Sequence, residues 1–87
     1  LKEYIIETEL NEDSKLIGKS VKDAGLRNLQ DVFLVEILRG TQVISPVSPE
    51  QILQKNDVPF FSGNTNAIYR LIEDDNGLRL PKQEHIE

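Results

Sequence analysis

The stretch from residue 31 to residue 47 constrains the fold more than any other part of the chain. It is DVFLVEILRGTQVISPV, an aliphatic and aromatic run that ends at Arg39 and Gly40 and is followed by a second apolar segment. The run is rich in β-branched and aromatic residues and too short for a convincing helix, so it predicts a strand. A two-residue turn at Arg39 and Gly40 would pair Val35 with Ile44 and make a hairpin.

Both faces of the predicted hairpin are apolar. In this register one face carries Phe33, Val35, Ile37, Ile44 and Pro46, and the other carries Val32, Leu34, Leu38, Val43, Val47 and Glu36. A longer turn would shift the pairing and reassign the two sets, but both faces would stay apolar. A small domain can cover one face with its own helices, so the second face needs more of the same chain or a partner. Glu36 also needs a partner, such as Arg27, Arg39 or a residue of a second chain, because an unpaired buried carboxylate is costly.

The remaining elements are short. Residues 3–10 predict a strand, and residues 14–29 predict short helical pieces because Gly18 and Gly25 interrupt them. Residues 48–53 (SPEQIL) predict a single helical turn, with Ser48 as its cap and Pro49 at the first helical position.

A second strand and a helix follow. Residues 57–62 predict a strand in which Pro59 favours an edge position or a bulge. Residues 63–77 predict a helix capped near Asn64 or Thr65. The order strand, short helix, hairpin, helical turn, strand, helix predicts an α+β domain with a small mixed or antiparallel sheet. We expect one domain over residues 1–80 and a polar tail over residues 81–87.

Composition disfavours several functional classes. The chain has no cysteine and a single histidine, His85, so no thiolate or imidazole-rich metal site is expected. The net charge is −5 and the ten lysines and arginines are scattered, which argues against nucleic-acid partners and anionic membranes. No serine has a plausible histidine base, and nothing predicts a catalytic residue, a metal or a cofactor, so we expect no enzyme. The sequence begins without methionine, which suggests a piece of a longer polypeptide.

An ordered set of motifs extends over most of the chain. It comprises Ser14, Leu16, Gly18, Lys19 and Ser20, then Leu26 and Arg27, Arg39 and Gly40, Val43, Ile44 and Pro46, Asn56 and Asp57, and Gly63. Over about residues 3–75 this pattern resembles the TrkA C-terminal domain, also called the RCK C-terminal domain. Asn56 stands where the family usually has glycine, and Pro59 is atypical. The chain has no GxGxxG fingerprint, so the nucleotide-binding partner domain of many RCK proteins is absent from it.

The resemblance implies a regulatory role. Residues 59–81 are similar to the first of two tandem copies of this domain in bacterial permeases of the sodium-coupled sulfate and dicarboxylate symporter class. Such a copy would lie on the cytoplasmic side of the inner membrane, attached to a transmembrane transporter domain. The family also implies pairing with a second copy and, in several potassium-transport members, binding of a small anionic ligand such as cyclic di-AMP between the paired domains.

Two sets of candidate site residues follow. Arg39, Ile44, Ser45 and Pro46 are the predicted ligand-binding residues, since a guanidinium can bind a phosphate while the apolar groups cover a base. Phe33, Val35, Ile37 and Ile44 are the predicted dimer interface. Two alternatives stay open: Arg39 can instead simply solubilise an exposed turn, and the domain can be a ligand-free assembly module of the transporter.

Overall fold

The computed structural model describes residues 4–73 and 77–81. The elements, in chain order, are β1 (Tyr4–Glu7), β2 (Glu9–Leu10), β3 (Val32–Arg39), β4 (Gln42–Ile44), β5 (Val58–Gly63), α1 (Thr65–Glu73) and β6 (Leu78–Arg79). One sheet has the order β1-β5-β3-β4 and a second pairs β2 with β6. All of these pairs are antiparallel, which confirms the predicted α+β class. Residues 82–87 of the predicted tail lie outside the described residues.

The predicted first strand is divided in two at Thr8. The backbone N–H of Thr8 and its hydroxyl both donate to the carbonyl oxygen of Pro59, at 2.9 and 2.8 Å. Thr8 is fully buried. These two bonds hold Thr8 beside β5 just past the end of β1, and the next two residues, Glu9 and Leu10, pair with β6 instead.

Pro59 was predicted at an edge or a bulge. It lies in a central strand, so the edge alternative was wrong, and the bulge of this sheet lies at Val35 of the neighbouring strand. Strand β5 is flanked by β1 and β3, and Pro59 is its second residue. The N–H and C=O of a strand residue point to the same side, and the Pro59 carbonyl points to Thr8, just past the end of β1. The side on which Pro59 lacks an N–H therefore faces Thr8, one residue past the end of β1, so no hydrogen bond within the β1–β5 strand pair is lost.

The hairpin is confirmed, but its turn and register differ from the prediction. Arg39 lies opposite Gln42 and Ile37 opposite Ile44, so the two-residue turn is Gly40 and Thr41. Gly40 has φ of 61°, the left-handed conformation that such tight turns require.

A β-bulge at Val35 changes which residues share a face of the sheet, so the predicted assignment was wrong. Leu34 lies opposite Phe61 and Glu36 opposite Phe60, so Val35 is the extra residue. Alternation is shifted by one residue there, and Val32, Leu34 and Ile37 face the core together. The other side of the sheet receives Phe33, Glu36 and Leu38, with Val43. Phe33, Val35 and Ile37 therefore do not share a face.

The predicted helical pieces are turns and extended backbone. Within residues 14–29 the Ser20 hydroxyl caps a turn by accepting from the Asp23 N–H at 3.0 Å, as a helix cap would, but no helix continues from it. Residues 48–53 begin with a turn closed by the Gln51 N–H and the Ser48 carbonyl at 3.1 Å. The chain then runs extended beside residues 18–21, and Ile52 bridges to Ser20. Backbone bonds to a neighbouring segment thus prevail over the local capping preference.

Helix α1 closes one face of the large sheet. Its N-cap is Asn64, whose side-chain oxygen accepts from the Ala67 N–H at 3.1 Å, as predicted. Ile68 of the helix is fully buried in one core cluster with Phe61, Ile37 and Leu53. No helix in the described residues has the length and apolar character needed to cross a membrane.

Candidate functional site

Arg39 is held by a buried carboxylate. Its Nε–H donates to Oδ1 of Asp57 at 2.8 Å, and its Nη2 donates to Oδ2 of Asp57 and to the Ile52 carbonyl, both at 2.9 Å. The Asp57 side chain is 0% exposed and that of Arg39 is 25% exposed. Asp57 Oδ2 also accepts from the Gln54 N–H at 2.8 Å. The end of β3 is therefore fixed to the segment that leads into β5.

The electrostatics of this pair favour a permanently charged Arg39. Hydrogen bonding to the Asp57 carboxylate raises the pKa of the Arg39 guanidinium above its ordinary value, and the attraction between the two charges adds to the rise. Partial burial of Arg39 acts in the opposite direction on that pKa. Within the described part of the chain no hydrogen bond engages Nη1 of Arg39. Arg39 therefore stabilises the fold through Asp57, and its Nη1 group remains available as a hydrogen-bond donor.

The other three predicted ligand-binding residues follow one another at the end of the edge strand β4. Ile44 is half-buried against the core, while Ser45 and Pro46 are exposed. The peptide bond between Ser45 and Pro46 is cis, and the Ser45 hydroxyl donates to the Val35 carbonyl at 3.3 Å. Val35 is the bulged residue, so the bulge and the exit of β4 are linked. The structure thus brings Ile44, Ser45 and Pro46 together, whereas the Arg39 guanidinium points to Asp57.

The four predicted interface residues do not lie on one face of the sheet. Ile37 is 0% exposed and belongs to the core, where it lies opposite Ile44. Phe33 lies on the opposite side of the sheet and is 62% exposed. Of the four residues, Phe33 is thus the one most available to a partner, with Val35 half-buried at the bulge.

We call the side of the large sheet turned away from α1 the outer face. Its residues form three rows across the strands: Ile5, Ser62 and Phe33; Glu7, Phe60 and Glu36; and Val58, Leu38 and Val43. Apolar side chains dominate the first and third rows, and two carboxylates flank Phe60 in the second. Of the three partners considered for Glu36, which were Arg27, Arg39 and a residue of a second chain, Arg39 binds Asp57 instead.

Among the described residues, the cavities lie away from the predicted ligand-binding residues, and the potential metal ligands form no cluster of three or more. Three open cavities have volumes of about 260 to 370 Å³, and none is lined by Arg39, Ile44, Ser45 or Pro46. The third of them is lined partly by Asp57 and Arg79. No group of three or more potential metal ligands occurs in residues 4–73 and 77–81.

Asp57 is the structural residue that sequence reasoning left without a role. It is separated from Arg39 by 18 residues, and no local pattern connects the two. The available signal was an acidic residue immediately before an apolar strand and after Asn56, since asparagine tolerates the left-handed backbone that it adopts here, with φ of 71°. A left-handed residue followed by a buried acid indicates a carboxylate turned back into its own loop, as the Gln54 bond confirms.

Comparison with known proteins finds the same fold in a known domain family. The TrkA-C domain model matches residues 5–74. The structure is similar to the "RCK_C domain dimer of S.agalactiae BusR in complex with c-di-AMP", with a TM-score of 0.68 and 25% identity over 87% of this chain and 97% of that chain. It is also similar to "S. agalactiae BusR in complex with its busAB-promotor DNA", with a TM-score of 0.66 and 25% identity over 84% of this chain and 35% of that chain.

Among curated proteins, none matches this chain. The family match nevertheless extends from the second described residue of β1 to the end of α1, and so includes the large sheet, the Arg39–Asp57 pair and the helix. The chain therefore belongs to the TrkA-C domain family.

Proposed function

We propose that this chain is a regulatory domain that pairs with a second copy and binds a small anionic ligand of the cyclic dinucleotide class at the paired surface. Support comes from a similar structure at 25% identity, a domain dimer in complex with c-di-AMP, of which this chain covers 97%. Ligand binding regulates an attached protein if the ligand prefers one arrangement of the pair, because its differential affinity shifts the population.

The observation that carries the ligand proposal is the exposed exit of β4. Ser45 and Pro46 are exposed next to the half-buried Ile44, and they offer a hydroxyl and an apolar surface. Arg39 lies three residues before the start of β4, across the turn. It retains Nη1 for an anion, while Nε and Nη2 are bound to Asp57 and the Ile52 carbonyl. A fixed guanidinium loses little freedom when it binds, which favours recognition of a phosphate.

A transporter is the attached protein in this proposal. The support is the resemblance of residues 59–81 to the tandem domains of sulfate and dicarboxylate permeases, and in this proposal the domain lies on the cytoplasmic side of the inner membrane. The similar BusR structure is in complex with promoter DNA, but this chain spans about a third of that chain, at 35%. The net charge of −5 further disfavours direct DNA binding by this domain.

The ligand is tested by titrating the purified chain with cyclic di-AMP, cyclic di-GMP and AMP in a thermal-unfolding assay and by calorimetry. A ligand at 100 times its dissociation constant stabilises the folded state by about 2.7 kcal/mol. We expect Ser45→Glu to weaken binding of an anion at least about tenfold, since a like charge is placed beside the ligand. Ser48→Glu is the matched control, because Ser48 is also exposed and also precedes a proline. Equal loss in both variants, or no binding of any of the three ligands, would reject this site.

The exposed outer face favours one second candidate, a ligand-free assembly module. Ile5 and Phe33 are 68% and 62% exposed on a sheet face that the domain's own helix does not cover. This alternative predicts a dimer whose stability does not change with any of the three nucleotides. Sedimentation equilibrium with and without cyclic di-AMP separates the two functions.

A further inference from the structure

The largest of the three open cavities lies between helix α1 and the segment that leads into β3. Its volume is about 370 Å³, and its lining comes from residues 29–32 and from Ala67, Arg70 and Leu71 of the helix. Ligand sites in proteins begin at about 300 Å³, so this cavity has the size for a small molecule and not for a dinucleotide. We propose that it binds a free amino acid with an aliphatic side chain, at a site separate from the one assigned to the nucleotide.

Helix α1 forms one wall of the cavity. Ala67, Arg70 and Leu71 are spaced at i, i+3 and i+4, so they lie on the same face of the helix. Ala67 and Leu71 are half-buried against the core, whereas Arg70 is exposed. The helix therefore presents one guanidinium beside an apolar wall.

Asp31 belongs to the opposite wall and is held in place by the start of the same helix. Its carbonyl oxygen accepts from the N–H of Asn64, the N-cap of α1, at 2.9 Å. The backbone of Asp31 is left-handed, with φ of 63°, which is uncommon for a residue other than glycine. Gly63 permits this approach, because a Cβ at that position would collide with the Asp31 carbonyl. The Asp31 backbone is thus fixed relative to the helix that carries Arg70.

The fold uses neither of the two charged groups. Within the part of the chain that the structure describes, no ion pair or side-chain hydrogen bond engages the Asp31 carboxylate or the Arg70 guanidinium. The third cavity differs, because its Asp57 and Arg79 already belong to ion pairs. Two opposite charges that line one cavity without binding each other fit a ligand that carries both charges.

An α-amino acid carries these two charges and matches both groups. Its carboxylate can accept two parallel N–H bonds from the planar guanidinium of Arg70, and its ammonium group can donate to the Asp31 carboxylate. The side-chain amide of Gln30, which also lines the cavity, offers a further N–H donor to the ligand carboxylate. The charged and polar lining therefore accounts for both ends of the ligand.

The remaining lining residues select the side chain of the ligand. They are all aliphatic: Leu29, Val32, Ala67 and Leu71. Such a lining favours a ligand side chain such as that of leucine or valine, because its burial removes apolar surface from water.

This cavity and the predicted nucleotide site lie at opposite ends of β3. Val32, at the start of the strand, lines the cavity, and Arg39 is the last residue of the strand. Eight residues at about 3.3 Å each separate the two ends by roughly 20 Å. The amino-acid site therefore does not depend on whether the domain binds a nucleotide.

The test titrates the whole chain with L-leucine and with two analogues that each lack one charge. These are 4-methylpentanoate, which has no ammonium group, and leucinamide, which has no carboxylate. Calorimetry and NMR chemical-shift changes measure the dissociation constants. We expect each analogue to bind at least about tenfold more weakly than leucine, since each leaves one charged group of the cavity without its partner. This comparison uses the unchanged protein, so it does not depend on the folding of any variant.

Two variants assign each charge of the ligand to a residue. Arg70→Gln should bind leucine and leucinamide equally, because the partner of the carboxylate is gone. Asp31→Asn should bind leucine and 4-methylpentanoate equally, and asparagine tolerates the left-handed backbone at this position. Arg27→Gln and Asp23→Asn are the matched controls, because both residues are exposed and neither lines the cavity. Leucine binding should be unchanged in these controls.

Three results would each overturn the inference. The first is no response to leucine at about 10 mM, a concentration that would nearly saturate a site with a dissociation constant of about 1 mM. The second is binding of either analogue to the unchanged protein as tightly as leucine. The third is a change in leucine affinity in Arg27→Gln or Asp23→Asn that equals the change in the cavity variants.

Discussion

Arg39 and Asp57 form the one strongly desolvated ion pair among the described residues. Replacing Arg39 with leucine leaves the Asp57 carboxylate buried with only the Gln54 N–H as a donor. Loss of one partner of a buried pair costs about 3–5 kcal/mol, and the 25% exposure of Arg39 lowers this to about 2–4 kcal/mol. We expect that loss in the free energy of unfolding, measured by urea denaturation.

The chain contains a matched control for this pair. Arg79 and Glu9 are 3.2 Å apart, but their side chains are 42% and 32% exposed. Arg79→Leu should therefore cost about 0–1 kcal/mol. Arg39→Lys keeps the charge but not the two-pronged bond, so its cost should lie between the two. Similar losses in Arg39→Leu and Arg79→Leu would show that water reaches the Asp57 carboxylate in the folded state.

Arg39 also shows what could be predicted from the sequence for a single residue. Arg39 was predicted to bind a phosphate of a ligand or to solubilise an exposed turn, and the structure pairs its guanidinium with Asp57 of the same chain. That partner was not predicted, because a residue 18 positions away is a tertiary contact that no local pattern specifies. Whether the free Nη1 also meets a ligand stays a prediction.

At the scale of elements, local sequence signals again predicted part of the structure, and contacts between distant residues determined the rest. A run of β-branched and aromatic residues predicted β3, the apolar segment of residues 57–62 predicted β5, and Asn64 or Thr65 predicted the start of α1, because these signals are local. The bulge at Val35 was not predicted, since it depends on the pairing of β3 with β5 rather than on either strand alone. One bulged residue exchanged the faces of Phe33 and Leu34 relative to Ile37 and Leu38.

Because of the bulge, we expect substitutions on the two faces of the sheet to differ in their effect on the free energy of unfolding. Ile37→Ala removes a fully buried side chain and should cost about 2–5 kcal/mol in the free energy of unfolding. Val43→Ala, on β4 of the same hairpin but 57% exposed, should cost well under about 1 kcal/mol. Urea unfolding of dilute, monomeric samples measures both. Comparable losses would mean that the outer face is covered within the monomer.

At the scale of the whole molecule, net charge opposes the proposed pairing. Each copy carries a formal charge of −5 and has a radius of gyration of 12.5 Å. The Debye length falls from about 30 Å at 0.01 M salt to about 10 Å at 0.1 M. Repulsion between two copies therefore acts over the entire molecule at the lower salt concentration and is largely screened at the higher one.

We therefore expect salt to act in opposite directions on the two steps of the proposed function. Raising the salt concentration from 0.01 M to 0.1 M should lower the dimer dissociation constant several-fold, because it screens like charges while leaving apolar contact intact. Over the same range the affinity for an anionic ligand at Arg39 should fall, because that attraction is screened. Sedimentation equilibrium and calorimetry measure the two constants. Glu36→Gln reduces the charge on the outer face, so it should strengthen the dimer at low salt and flatten its salt dependence. A dimer that instead weakens as salt rises would have to be held by complementary charges, which the outer face does not provide.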